Sequence, residues 1–198
     1  MKRIIFATSN ESKMKEIRMI LADIDLEVVS LKEAGIHVEI DENGTTFEEN
    51  AIIKAKAIME MTGDIVLSDD SGLEVDYLDK APGVYSARFM GEDTSYDIKN
   101  QYIIDQLKDA KEEERSARFV CVIACAFPNG EVVTRRGTIE GMIAHKIAGV
   151  NGFGYDPIFY VPEYGCTTAE LNPEQKNLIS HRGKALAAMK EVLEKDLF

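Results

Sequence analysis

The chain has 198 residues, 45% of them hydrophobic, enough to bury one substantial core and within the size of a single domain of one or two lobes. Its net charge of −12 excludes a surface that coats a polyanion, because nucleic-acid affinity comes mainly from Lys and Arg neutralising phosphates; an anionic substrate would need a local cationic pocket or a metal. Cys121, Cys125 and Cys166 are odd in number and show no CxxC spacing, which leaves out a disulfide framework and a zinc ribbon.

The opening MKRIIF is followed at once by polar Thr8, Ser9 and Asn10, so no signal-peptide core develops. The longest apolar run, 119–127, is too short to span a bilayer, and a soluble cytoplasmic protein with no membrane or nucleic-acid partner is expected. Residues 2–7 read as a strand and 12–22 as a helix with Met14, Ile17 and Leu21 at helical spacing, which puts TSNESK in a strand-to-helix turn. A strand over 26–31 follows. Thr46 and Glu49 have capping-box spacing at the start of a second helix, with Phe47, Ala51, Ala55 and Ile58 on its apolar face and Gly63 at its end. Residues 64–67 form a short buried strand that places DDSGL at or just beyond its C-terminal edge. APGVYSAR is a loop, 97–109 an amphipathic helix and KEEER at 111–115 a solvated charged connection. Strands over 117–127 and 131–139 flank Pro128-Asn129-Gly130, a hairpin turn, so the sheet is mixed. After GFGYDP and a short apolar stretch, Asn172 and Pro173 open one helix, and Ser180 caps another that runs to the C-terminus.

Several of these segments carry residues suited to phosphate chemistry. Asp69 and Asp70, followed by Ser71 and Gly72, can hold a hard divalent cation, since Mg2+ takes oxygen ligands and needs only one or two protein carboxylates beside substrate phosphates. The same four residues also suit a plain polar turn. Glu39, Asp41 and Glu42 form a second acidic group, one of which can complete a metal site, although the run equally describes a solvated loop, and Glu49 is accounted for as a cap. Asn50 and Lys54, at i and i+4, share a helix face.

The TSNESK turn offers hydroxyls, backbone N–H groups at a helix start, and Lys13 in the first turn, a placement mildly unfavourable for a cation unless something negative sits opposite. GFGYDP is no dinucleotide fingerprint, because it lacks a third glycine and does not open a helix. Its Phe153 and Tyr155 can instead present an aromatic face to a base or simply be buried. Lys176, His181 and Arg182 gather three donors near a helix start, a set that suits a keto-bearing base and phosphate; His181 alone reads as a surface or capping histidine.

In this order TSNESK, FEENA with Lys54, DDSGL, PGVYSAR, GFGYDPIF and EQKNLISHRGKAL resemble the inosine triphosphate pyrophosphatase family, and the match covers positions 8 to 186. The acidic loop departs slightly, with Asp41 where the family usually carries glutamate. The resemblance implies an α/β fold of two lobes around a long mixed twisted sheet flanked by helices, with the active site in the cleft between lobes, a single catalytic domain over 1–198, and a homodimer. It implies hydrolysis of non-standard purine nucleoside triphosphates (ITP, dITP, XTP) to the monophosphate and pyrophosphate, with magnesium. Thr8, Ser9, Asn10, Glu11, Ser12 and Lys13 match the triphosphate-binding turn, Asp70 the catalytic acid/base and metal ligand with Asp69 supporting it, and Asp41 a second metal ligand. Ser71 matches a substrate contact, Lys54 the phosphate-side lysine, and Phe153, Gly154, Tyr155 and Asp156 with Lys176, His181 and Arg182 the nucleoside-binding segments. Two other classes use parts of the same set: a non-catalytic nucleotide sensor, which has no need of paired acids, and a magnesium-dependent phosphomonoesterase, which releases orthophosphate.

Overall fold

Local signals in the chain explain most of the elements in the computed structural model, which describes residues 2–197. In chain order these are β1 (Lys2–Phe6), α1 (Glu11–Ile20), β2 (Leu26–Ser30), α2 (Phe47–Thr62), β3 (Val66–Val75), α3 (Tyr96–Gln106), β4 (Ser116–Ala126), β5 (Val132–Ile143), β6 (Phe159–Val161), β7 (Cys166–Thr167), α4 (Pro173–Ile179) and α5 (His181–Leu197). Asn10 caps α1 by accepting from the Lys13 amide. Thr46 and Glu49 close the expected capping box on α2, which ends at Gly63 in the left-handed region, and Asn172 with Gln175 does the same for α4. The strands join in the order β2-β1-β3-β4-β5-β6-β7. β1 is parallel to β2 and β3, while β6 is antiparallel to β5 and β7, so the sheet is mixed as expected. The turn between β4 and β5 is closed by Gly130 N donating to the Phe127 carbonyl at 2.9 Å. No helix among the described residues is long and apolar enough to cross a membrane.

The chain divides into two compact units. The first comprises Met1–Ser71, Cys121–Gly137 and His181–Phe198, and the second Gly72–Val120 and Thr138–Ser180. In the first, Ile4 and Phe6 of β1 pack with Met14 and Ile17 of α1, Leu67 of β3, Ile123 of β4 and Leu186 and Met189 of α5, and Cys121 and Cys125 are buried inside this core. In the second, Leu73, Ile103, Leu107, Phe119, Ile139 and Phe159 form the core, where apolar burial is worth about 25 cal/mol per Å².

Two expectations change. KEEER is solvated only in part, because Arg115 is 2% exposed: its guanidinium donates to the carbonyls of Leu107, Ile143 and Ala144 at 2.8–3.0 Å, and five donors on one planar group make such a clamp possible. β3 does not stop at residue 67 but continues through DDSGLEV. Its pairing with β1 covers only Val66 and Leu67, but the extended backbone runs on, so acids that read as a turn lie inside the strand.

Candidate active site

Side chains alternate across a strand, and that alternation separates the two aspartates of β3. Ser68 and Asp70 face α2, where the Ser68 hydroxyl donates to the Ala51 carbonyl at 2.5 Å and Lys54 Nζ lies 3.4 Å from Asp70 Oδ1. Asp69 and Ser71 face the other way, toward α1 and the start of α5. There Lys13 Nζ is 3.0 Å from Asp69 Oδ2, Arg182 Nη2 is 3.3 Å from the same oxygen, and Ser71 Oγ donates to it at 3.2 Å. All of these residues belong to the first unit.

The two environments act oppositely on proton affinity. Burial alone would raise Asp69, but Lys13, Arg182 and Lys54 outweigh it and hold its carboxyl well below the usual carboxylate range. Arg182, 2% exposed, also donates to Glu16 Oε2 at 2.6 Å and to Ser71 Oγ at 3.1 Å. Burial works against its charge, yet Asp69 and Glu16 raise its pKa above the ordinary guanidinium value. Glu16 gave no motif in the sequence, although it lies three residues after Lys13, on the same face of α1.

Asp70 is pushed up to about 6, first by burial and then by the like charges of Glu42 and Asp69, which Lys54 only partly offsets. Lys54 is raised in turn, Asp69, Asp70 and Glu42 outweighing its burial, and its Nζ lies 3.4 Å from Glu42 Oε2. The acid that approaches Asp70 from the 39–42 loop is therefore Glu42, and Asp41, expected as the second metal ligand, is exposed. Adjacent residues of an extended loop point apart, and one residue of sequence separates a solvated acid from one facing the strand.

Asp70 Oδ2 is buried and lacks a hydrogen-bond partner among the described residues. A buried carboxylate oxygen left without a donor, next to a second acid, fits a hard cation such as Mg2+, which needs only one or two protein carboxylates. Among the described residues no group of three or more His, Cys, Asp or Glu side chains could hold a metal on its own. Asp70 and Glu42 are the groups that would hold it.

In the 8–13 turn, Ser9, Asn10, Glu11 and Ser12 are exposed and Thr8 and Lys13 half-buried. Thr8 Oγ accepts from the Asn10 amide at 3.1 Å, and Asn10 Oδ1 accepts from the Lys13 amide at 3.1 Å. Those two side chains shape the turn, and the amides at the start of α1 supply the anion-binding character. The negative group opposite Lys13 is Asp69.

The nucleoside-binding candidates of the second unit form a cluster of their own. Tyr155 is turned inward: its hydroxyl donates to the Ser86 carbonyl at 2.6 Å, and its ring meets Tyr96 edge-on at 5.1 Å. Asn100 Nδ2 donates to the Gly154 carbonyl at 3.0 Å. Asp156 is buried and accepts from the Phe153 amide at 2.9 Å, while Lys176 Nζ approaches its Oδ2 at 2.6 Å and lies 4.9 Å from the centre of the Phe153 ring. The half-buried Phe153, not Tyr155, is thus the aromatic surface of this loop. His181 starts α5 in the first unit and is 6% exposed, with Gly137 against its carbonyl oxygen.

Fold and site together define an α/β protein whose mixed sheet carries, on one inner strand, two buried aspartates of opposite character, each facing a lysine and accompanied by a helix-start turn suited to anions. The chain belongs to the Ham1 family, whose sequence pattern matches residues 4–192. It is 46% identical to a dITP/XTP pyrophosphatase of Clostridium perfringens over 98% of each chain. It is 49% identical to the dITP/XTP pyrophosphatase of Desulforamulus reducens, over 98% of this chain and 96% of that one. Among solved structures it is similar to the Staphylococcus aureus Ham1 protein, with a TM-score of 0.88 and 40% identity over 98% of this chain and 100% of that one. A HAM1 protein from Coxiella burnetii gives a TM-score of 0.89 at 43% identity with the same coverage. The family resemblance read from the motifs and the α/β fold class are borne out.

Proposed function

We propose that this chain is a nucleoside-triphosphate pyrophosphatase that hydrolyses non-standard purine nucleotides, dITP, XTP and ITP, to the nucleoside monophosphate and pyrophosphate, and so keeps them out of nucleic acid. The observation that carries this reading is the division of labour across β3. Asp69 is held ionised by Lys13 and Arg182 and fixes them in place, while Asp70, with its proton affinity raised toward neutral, is suited to accept a proton from water. The named activity of the relatives agrees with it.

In the reaction Asp70 orients a water toward the α-phosphorus and takes its proton. The new P–O bond forms as the α–β anhydride bond breaks, and the pyrophosphate leaves with that electron pair. Lys54 and Lys13 offset the charge that develops on it, so catalysis is chiefly positioning and electrostatics. Magnesium held by Asp70 and Glu42 would add positive charge on the phosphate oxygens. The amides and hydroxyls of the 8–13 turn hold the phosphate chain.

The purine is assigned to Phe153 as a stacking surface and to Lys176, 4.9 Å from the centre of that ring, as donor to the keto group at position 6, which hypoxanthine and xanthine carry and adenine lacks. Arg182, expected as a further donor, is engaged by Glu16, Asp69 and Ser71. A site built to hydrogen-bond one group rejects an analogue that mismatches it by roughly 10⁴-fold. Turnover should therefore be high for ITP, dITP and XTP and lower for ATP by about three orders of magnitude or more. ATP or GTP hydrolysed as fast as ITP would overturn the substrate assignment. A cytoplasmic homodimer completes the reading.

A further inference from the structure

Asp156 in the second unit is 2% exposed, yet both its carboxylate oxygens are in use. Oδ2 faces two donors, the Phe153 amide at 2.9 Å and the Lys176 ammonium at 2.6 Å. Oδ1 accepts from one, the hydroxyl of Thr168 at 2.7 Å. Thr168 is equally buried, at 2%, and begins a short 3-10 turn, Thr168–Glu170, that a capping box between Thr167 and Glu170 holds in place. On the other side, Gly152 has φ +70°, and a side chain there would run into the Asp156 carboxylate.

The torsion that turns a carboxylate plane is soft, with broad rather than staggered minima. A carboxylate that serves two donors through one oxygen is therefore fixed only if its other oxygen is tied down. Thr168 supplies that tie from a separate and rigid turn. We propose that Thr168 is a positioning residue for purine recognition: its hydroxyl fixes the plane of Asp156, which in turn sets the Lys176 ammonium and the Phe153 backbone in the arrangement that receives a purine with a keto group at position 6. The proposal rests on the reading that Lys176 and Phe153 meet the base. It gives the sequence TTAE a function that no motif announced.

Thr168→Val replaces the hydroxyl with a methyl group of similar size, Thr168→Ala removes it without adding bulk, and Thr168→Ser keeps it. In the magnesium-loaded protein, Thr168→Val and Thr168→Ala are expected to raise KM for ITP about tenfold while kcat stays within about twofold, and Thr168→Ser to restore the parent KM. Titration calorimetry with inosine monophosphate reads the same loss as a roughly tenfold higher Kd, independently of turnover. A lowered melting temperature with unchanged KM and Kd in both hydroxyl-free variants would mean that Thr168 serves stability only and would overturn the proposal, as would equal losses in Thr168→Ser. No binding of inosine monophosphate by the parent chain overturns it as well. If the parent binds inosine monophosphate, the variants bind it more weakly and ITP is not hydrolysed, the assigned activity fails and the role of Thr168 stands.

Discussion

Asp70 and Asp69 differ by one position and should respond to the same substitution in opposite ways. Between the ordinary carboxylate pKa of about 4 and the value of about 6 that burial and Glu42 impose on Asp70, the folded protein retains a proton that the unfolded chain has released, so stability falls as pH rises through that window. Above it, the metal-free protein carries the full cost of the buried charge, about 3 kcal/mol at most for a shift of this size. Asp70→Asn mimics the protonated side chain. It is expected to lower kcat by about three orders of magnitude or more while raising stability in urea by about 1–3 kcal/mol at pH 8, with no gain near pH 4. Asp69 has the reverse sign: its depressed pKa contributes stability that is present above the ordinary value and is lost as pH falls below it. Asp69→Asn leaves Lys13 and the buried Arg182 short of a counter-charge and should cost about 3 kcal/mol at neutral pH, with a smaller fall in kcat than Asp70→Asn. Urea titrations of both variants at the two pH values decide the matter, and a destabilised Asp70→Asn at pH 8 would contradict the assignment.

At the level of elements, α5 brings Arg182 to the Asp69 face of β3, and Gly137 of β5 lets it come close. A Cβ at Gly137 would lie 2.6 Å from the Ala185 amide nitrogen and nearer still to the His181 carbonyl oxygen, both backbone atoms that cannot swing aside. Gly137→Ala is accordingly expected to cost about 2 kcal/mol or more and to raise KM through displacement of His181 and Arg182, as thermal melts and ITP titrations would register. Thr46→Ala, which removes the capping bond to the Glu49 amide at 3.1 Å, should cost only about 1 kcal/mol with little change in kcat. Caps of this kind were legible in the sequence because the chemistry is local. The continuation of β3 through DDSGL was not, since the partners of its polar side chains, Lys13, Lys54 and Arg182, come from positions distant in the chain. Read as a turn, the two aspartates looked like one pair; set in a strand, they face apart.

Across the whole molecule, the family and the α/β class were legible from six motifs in register, and the motifs also singled out Lys13, Lys54, Asp69 and Asp70, which pair in the fold as Lys13 with Asp69 and Lys54 with Asp70. What the motifs concealed is the contacts between distant segments: Glu16 on Arg182, Glu42 on Lys54, Arg115 on the Leu107, Ile143 and Ala144 carbonyls, and Thr168 on Asp156. Each needs a contact between segments far apart in sequence, which periodicity does not encode. The most direct test of the account is the identity of the products when the protein is given ITP and Mg2+, followed by phosphorus-31 NMR. The account predicts inosine monophosphate and pyrophosphate in equal amounts, both lost in Asp70→Asn; inosine diphosphate with orthophosphate would contradict it.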